Sequence, residues 1–519
     1  MDSNQNGAES LVRTLVTNDV QVCFTNPGTS EMHFVAALDR VEGMRCVLGM
    51  FEGVVTGAAD GYYRMAEKPA STLLHLGPGL GNGLANLHNA KKAGSGIVNI
   101  VGEHATYHVK HDAPLTSDIE GVARPMSHWV KTSPSSKTVA VDGAQAIAVA
   151  REAPGKIATL ILPADTAWGP GGDIVWAPAT PPRKKVDEKV IKAAATALRG
   201  SGERTLLLGG VGVRTKALEW AGRIAAKTGC KIAAEYNNAR LERGAGRVQT
   251  TRIPYAVDAA VSMFRDTQQL VLVGAKSPVS FFAYPEKPSV QIPTTCAVTK
   301  LAGVEEDILA ALEALANELG ATHLAPIGIA EHDKPALPTG SLTQEGIAAV
   351  LGALLPEQAI VVDESVSTGR GFARLTTGAA PHDWLNLMGG SIGFALPTSV
   401  GAAIGAPGRK VVTLEGDGSA MYTIQSLWTM ARENLDVTIL IFANRSYQIL
   451  RGEFANVGGG KPGKRATDML TLDRPDPDWM SIAKGFGVES GRATDLDALA
   501  REFKRGLASS GPYLIEVVL

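Results

Sequence analysis

Asp417 stands between Gly416 and Gly418 at the end of the apolar run KVVTLEG, and Asn444 closes the run VTILIFA, with 25 residues between Gly418 and Asn444. An aspartate carboxylate and an asparagine carbonyl are hard oxygen ligands, the kind Mg²⁺ takes from a protein while phosphate oxygens and water complete its shell. The two glycines let backbone approach a ligand closely, and a helix opening near Ser419 points free N–H groups at an anion. A Gly-Asp-Gly triplet alone is also an ordinary strand-to-helix turn. What favours a metal-diphosphate site is the interval, filled by one helix pattern (AMYTIQSLWTMARE) and one buried strand (VTILIFA). That spacing leaves both residues at carboxyl ends of strands, where open α/β sheets bind ligands.

The elements that must position them recur along the chain. Short β-branched runs alternate with helical patterns: VQVCFTN then MHFVAALDRV, RCVLGM then EGVVTGAADGYYRMA, STLLHLG then a glycine-rich turn and LANLHNA, then GIVNIVGE and KIATLILPA. This pattern predicts doubly wound parallel α/β sheets covered on both faces. GPGGDIVWAPATPPRKK and HLAPIGIAEHDKPALPTG read as linkers. Three α/β units follow, over 1–170, 186–325 and 340–519, consistent with a soft prior of roughly 150 residues per domain.

Composition narrows the partners. The 519 residues carry 50 Lys+Arg against 52 Asp+Glu, a net charge of -2, with no long basic run. Nothing there draws nucleic acid or an anionic membrane, so small molecules are the expected partners. The cysteines, Cys23, Cys46, Cys230 and Cys296, are far apart and form no C-x-x-C, which fits a reducing cytoplasm better than a disulfide framework or zinc site. The polar start MDSNQNGAES and the lack of a run of about 18 apolar residues predict a protein neither exported nor membrane-spanning.

Gly416-Asp417-Gly418 with Asn444 resembles the thiamin diphosphate motif, and TNPGTSE, FEGVVTGAADGYYR, LLHLGPGLGN, GGSIGFALP, DWMSIAKGFGV and PYLIEVVL occur in matching order. Over nearly its whole length the chain is similar to benzoylformate decarboxylase and to acetolactate-synthase-like proteins. The resemblance implies a pyrimidine-binding first domain, a Rossmann-like middle domain and a diphosphate-binding third domain. It also implies sites shared between the first domain of one chain and the third of another, hence at least a homodimer and commonly a homotetramer.

By the same resemblance, Asp417, Asn444 and the backbone carbonyl of Ser446 would hold Mg²⁺ on the diphosphate. Ser367, Gly416, Gly418, Ser419, Tyr447 and Ile449 would contact the cofactor, and Ile392 would keep it bent. Glu52 would hydrogen-bond N1′ of the aminopyrimidine, and its neighbours Met50, Phe51, Val54 and Val55 suit a protonated carboxyl. Without the resemblance, Glu52 complements a helix dipole and Ile392 is core. His75 matches a proton-relaying histidine, whose ordinary pKa suits that task, and Thr29 matches a pocket serine. A second relay histidine is absent, Ala283 standing in its place, and Arg445 replaces a common asparagine. Leu115, Ile449, Leu450 and Phe454 are expected pocket walls, each equally explicable as packing. The expected chemistry is decarboxylation of a 2-oxo acid through a carbanion on the cofactor's C2, followed by protonation or carboligation. The alternatives are an acetolactate-synthase-like transfer, although YQILRGEF lacks the tryptophan that sorts acceptors there, and a non-catalytic homologue.

Three further signals carry less. His104, His108 and His111 would share a helix face able to bind zinc, but the glycines upstream favour a loop. GGGKPGKR at 458–465 has Arg465 where a phosphate loop needs Ser or Thr, so a loop able to close over the site is expected. LLLGGVGVRT resembles a dinucleotide turn without its third glycine.

Overall fold

The computed structural model describes residues 5–519. The first sheet holds β1 (Val22–Asn26), β2 (Arg45–Leu48), β3 (Ala70–Leu74), β4 (Ile97–Glu103), β5 (Trp129–Thr132) and β6 (Ile157–Pro163), ordered β2-β1-β3-β4-β6-β5 and parallel throughout. Next come β7 (Glu203–Leu208), β8 (Lys231–Ala234), β9 (Leu241–Arg243), β10 (Thr251–Arg252), β11 (Thr267–Val273) and β12 (Ala297–Ala302). Five of these form a parallel sheet ordered β10-β8-β7-β11-β12, and β9 leaves it. The last sheet contains β13 (Ile360–Glu364), β14 (His382–Asn386), β15 (Val411–Gly416), β16 (Val437–Ala443), β17 (Glu489–Ala493) and β18 (Tyr513–Val518), ordered β17-β18-β16-β15-β13-β14-β9. Only β9 runs antiparallel there, bonding along β14 as its edge. β4, β6 and β16 are buried at every residue, as unbroken Val/Ile/Leu runs require of strands covered on both faces. Among the described residues no helix is long and apolar enough to cross a membrane.

Two strand-order reversals open crevices at carboxyl ends. In the first sheet β1 lies between β2 and β3, so the loops after β1 and β3 part there. In the last sheet β13 lies between β14 and β15, and the loops after β13 and β15 part likewise.

The first and last sheets meet through helices Glu52–Ala66 and Ala395–Gly405. The former is buried nearly all round, which suits an inter-sheet helix rather than a surface one. Small residues let the backbones touch. A Cβ on Gly401 would overlap the carbonyl oxygen of Ala58, and one on Gly61 that of Thr398. Arg64 lies fully inside, donating Nε and Nη2 to Asp60 at 2.9 and 2.7 Å and Nη1 to the carbonyl of Asn386 at 2.8 Å. Losing either member of that pair would strand a buried charge.

Two local expectations fail. GPGLGN is not a turn: a single helix spans Leu76–Ala93, with Pro78 in the first turn, where its missing N–H costs nothing. Its glycines make room for neighbours, Gly79 facing the Glu52 carboxyl and Gly83 facing Thr56. AMYTIQSLWTMARE is not one helix either. It breaks between Asp417–Ala420 and Ser426–Arg432, where Tyr422 and Thr423 turn toward Gly393 and Thr423 Oγ1 donates to the Gly393 carbonyl at 3.0 Å.

Gly401→Ala gains ~1 kcal/mol of helix propensity but forces a methyl into immovable backbone, a conflict costing about 1–3 kcal/mol or more. Chemical denaturation should show net destabilisation. Gly81→Ala, in an open part of helix Leu76–Ala93, should be neutral or stabilising by about 0.5–1 kcal/mol. Equal effects in the two variants would mean the seam is not tightly packed.

Candidate functional site

Asp417 begins a short helix directly after β15 and is 2% exposed. Its Oδ1 accepts the Gly418 N–H at 2.9 Å and its Oδ2 the Arg445 N–H at 2.6 Å. Burial pushes its carboxyl up to about 6, against the pull of those donors. Asn444 follows β16, and its Oδ1 accepts the Ser446 N–H at 3.0 Å. Ser446 Oγ donates to the Leu470 carbonyl at 3.1 Å. Between the two, Arg445 sits at φ 53 and its guanidinium reaches Asp476 at 2.8 Å. The structure thus gathers Asp417, Asn444 and Ser446 on two adjacent strand ends. Gly418 is obligatory there, since a Cβ would lie 2.6 Å from the Tyr447 ring.

Among the described residues no cluster of three His, Cys, Asp or Glu side chains could hold a metal. One carboxylate, one amide oxygen and one backbone carbonyl nonetheless form an all-oxygen set that suits a small hard cation bridged to a ligand's own oxygens. Ser419 is buried beside Gly416, and Ser367 is half-buried in the loop after β13. In that loop Val366 takes φ 46, a strained value for a β-branched residue. Ile449 is half-buried and Leu450 exposed on helix Gln448–Asn456, with Phe454 half-buried on its next turn.

Beneath these loops lie two buried glutamates that sequence reasoning missed. Glu364 and Glu415 are register partners on β13 and β15. Glu364 accepts N–H bonds from Gly393, Phe394 and Ala395 at 3.0, 2.7 and 2.7 Å, fixing the loop that carries half-buried Ile392. Both Glu415 oxygens lack a hydrogen-bond partner. Burial, with Glu364 alongside, pushes the Glu415 carboxyl well up. A glutamate inside a Val/Thr/Leu strand was the available signal.

The first sheet carries Glu52, His75 and Thr29. Glu52 starts its helix, 9% exposed, and its Oε2 accepts from Asn82 Nδ2 at 3.0 Å. His75 caps helix Leu76–Ala93, and its Nδ1 meets Glu31 Oε2 at 2.8 Å. Glu31 is fully buried and also accepts the Gly28 N–H at 2.7 Å and the Ser30 hydroxyl at 2.8 Å. Gly28 must be glycine because a Cβ would strike the His75 ring. The Gly28-to-Glu31 interval has capping-box spacing, which could have flagged Glu31. Thr29 is exposed in the adjoining 3₁₀ turn, and Leu115 is exposed on the loop after β4. Among the described residues no hydrogen bond or ion pair joins Glu52 to Asp417, Asn444 or Ser446 within the chain.

The lesser signals resolve as loops. His104, His108 and His111 lie in a row of mutually tilted rings with centroids 5.3 and 5.7 Å apart around a 3₁₀ turn, and among the described residues no group of three His, Cys, Asp or Glu could hold a metal. Residues 458–463 are an exposed connection. After β7, the Gly209 turn faces the Glu235 carboxylate. Ala283 is exposed, next to Tyr284, whose hydroxyl lies 3.5 Å from that of Tyr255.

Residues 5–122 match the thiamine pyrophosphate enzyme N-terminal TPP binding domain, and residues 367–517 the C-terminal TPP binding domain. The chain is 50% identical over 518 residues, 99% of each protein, to "Putative acetolactate synthase large subunit IlvX" of Mycobacterium tuberculosis. It is 30% identical over 528 residues, 95% of each, to benzoylformate decarboxylase of Pseudomonas aeruginosa. The fold matches the Rhodococcus jostii RHA1 thiamine diphosphate-dependent 4-hydroxybenzoylformate decarboxylase with TM-score 0.85 at 23% identity, covering 99% of this chain and 98% of that one.

The raised carboxyls of Glu364, pushed up to about 7, and of its neighbour Glu415, pushed well up, set a pH dependence of stability as a pair. An acid raised in the folded state keeps a proton that the unfolded chain releases near its ordinary 4.5, so stability falls as pH climbs from there toward the folded value. Glu415→Gln should therefore flatten the decline of the thermal midpoint between pH 5 and 8, with equal or higher stability at pH 8. An unchanged slope would show that the Glu364–Glu415 pair does not retain a proton in the folded state.

Proposed function

This chain belongs to the thiamin pyrophosphate-dependent enzymes of the acetolactate synthase and benzoylformate decarboxylase family, and from that premise we propose that it decarboxylates a 2-oxo acid with thiamin diphosphate and Mg²⁺. The observation that carries this is the Asp417–Asn444–Ser446 oxygen cradle at two strand ends, in one chain with a buried, helix-starting Glu52. Asp417, Asn444 and the Ser446 carbonyl would hold the ion. The N–H groups near Gly416 and Gly418, with the Ser367 and Ser419 hydroxyls, would receive the diphosphate, and Tyr447 and Ile449 would flank it. When bound, thiamin diphosphate supplies the nucleophilic carbon and the electron sink that loss of CO₂ requires.

The chain's own residues do the rest. Glu52 would hold a proton at the aminopyrimidine, and Ile392 would press against the cofactor. Glu31 accepts from His75 Nδ1–H and so orients the ring, leaving Nε2 to hold or deliver a proton at the substrate's oxygen. Leu450, Phe454 and Leu115 would wall the acceptor side once substrate is bound. The family's pattern of sites shared between the first domain of one chain and the third of another supports a second copy as the partner that completes each site, as a homodimer or homotetramer. The four free cysteines suit a cytoplasmic setting. A second reading, condensation of two 2-oxo acids, is supported by the name of the 50% identical relative.

Incubation with thiamin diphosphate, Mg²⁺ and a panel of 2-oxo acids, with products identified by NMR, separates the readings. An aldehyde supports decarboxylation, a 2-hydroxy ketone supports condensation, and no CO₂ from any acid leaves a non-catalytic homologue. Glu52→Gln should abolish turnover with the fold intact. Co-expressed with Asp417→Ala, also inactive alone, it should recover about a quarter of wild-type activity, since half of randomly paired dimers hold one complete site. No recovery would exclude shared sites.

A further inference from the structure

Asn82, Asn86 and Asn89 lie on one face of helix Leu76–Ala93, at i, i+4 and i+7. Asn82 bonds the Glu52 carboxylate. Asn86 Nδ2 donates to the carbonyls of Gly53 at 2.9 Å and Gly393 at 3.2 Å, and its Oδ1 accepts from Asn89 Nδ2 at 2.9 Å. Asn89 Nδ2 also donates to the Ser391 carbonyl at 2.8 Å, and its Oδ1 accepts the Ser391 N–H at 3.2 Å. Asn86 is 2% exposed and Asn89 0%, so their amides are satisfied only by one another and by backbone.

Ser391 and Gly393 are the two neighbours of Ile392. The row therefore grips the chain on both sides of that side chain from the first domain, while Glu364 and Thr423 grip it from the third. A plain interdomain staple could attach anywhere along the interface. This one attaches to the residues flanking Ile392 and, at its other end, to the first turn of the helix that Glu52 begins.

We propose that Asn86 and Asn89 are positioning residues for the reaction, fixing where Ile392 stands against the cofactor and tying that loop to the seat of Glu52. The role rests on the thiamin-dependent function proposed above. A loop released from Asn89 would still let the diphosphate bind at the Asp417 cradle, because none of the cradle's bonds involves the row. What it would lose is the bent cofactor shape.

Two readouts test this without knowing the substrate. In cofactor-free Asn89→Ala, backbone amide exchange across residues 389–395 should quicken at least tenfold while helix Leu76–Ala93 stays protected. With thiamin diphosphate and Mg²⁺ bound, exchange of the cofactor's C2 proton for deuterium, followed by NMR, should slow at least tenfold while cofactor Kd shifts less than threefold. With a turned-over 2-oxo acid, kcat should fall and KM hold. Asn86→Ala, which leaves the Ser391 contacts in place, should give the same pattern in smaller measure and serves if Asn89→Ala does not fold. Unchanged C2 exchange in both variants, or loss of cofactor affinity in step with activity, overturns the positioning role. Unchanged amide exchange across 389–395 removes this inference alone, whereas a wild-type protein that binds no thiamin diphosphate removes the proposed function and this inference with it.

Discussion

Within the chain, the first turn of Glu52 and the loop of Ile392 take their places from direct backbone contact between helices Glu52–Ala66 and Ala395–Gly405. Gly57 meets Pro397, Gly401 meets Ala58 and Gly405 meets Tyr62, so the two helices run the same way and open their first turns at the same end of the seam. One first turn begins with Glu52, and the other follows the loop of Ile392. Bulkier side chains would push the helices apart toward ordinary interaxial distances of roughly 8–10 Å, and the asparagine row could not span both. Small residues here serve placement more than flexibility.

The second organising feature is the concentration of buried acid around the loops. Glu31, Glu52, Glu364, Glu415 and Asp417 are all buried, and each except Glu415 has donors in place. An isolated carboxylate would cost several kcal/mol to bury and would tend to take up a proton instead, the direction in which burial pushes Glu415. Strained backbone lies beside them: Leu76 after His75, Val366 before Ser367, and Arg445 between Asn444 and Ser446 all have positive φ. Such residues persist only where surrounding bonds over-determine them, and they cluster where a ligand must be met by backbone in one arrangement.

Much of this was legible from the chain. Strands buried on both faces announce themselves as Val/Ile/Leu runs, and the interval from Asp417 to Asn444 can only be one crossover, so their position at strand ends followed. What was not legible depended on contacts far away in sequence. GPGLGN carries every local mark of a turn, yet it is helical because Gly79 and Gly83 answer to Glu52 and Thr56 across the domain. The break after Ala420 is imposed by Gly393. Glu31 and Glu364 gain meaning only from the histidine and the loop they hold. Strand β9 is three residues long with no periodicity to detect, and only its partner β14 makes it a strand.

That short strand has a consequence for how the molecule can be dissected. By chain order it belongs with the middle segment, yet it hydrogen-bonds along β14 through Leu241, Glu242 and Arg243 and shields the flank of the last sheet. A fragment beginning at the second proline-rich connector would expose β14 as a naked edge, an invitation to intermolecular pairing and fibrous aggregates. Modular excision or domain shuffling of this protein would have to carry that ribbon along.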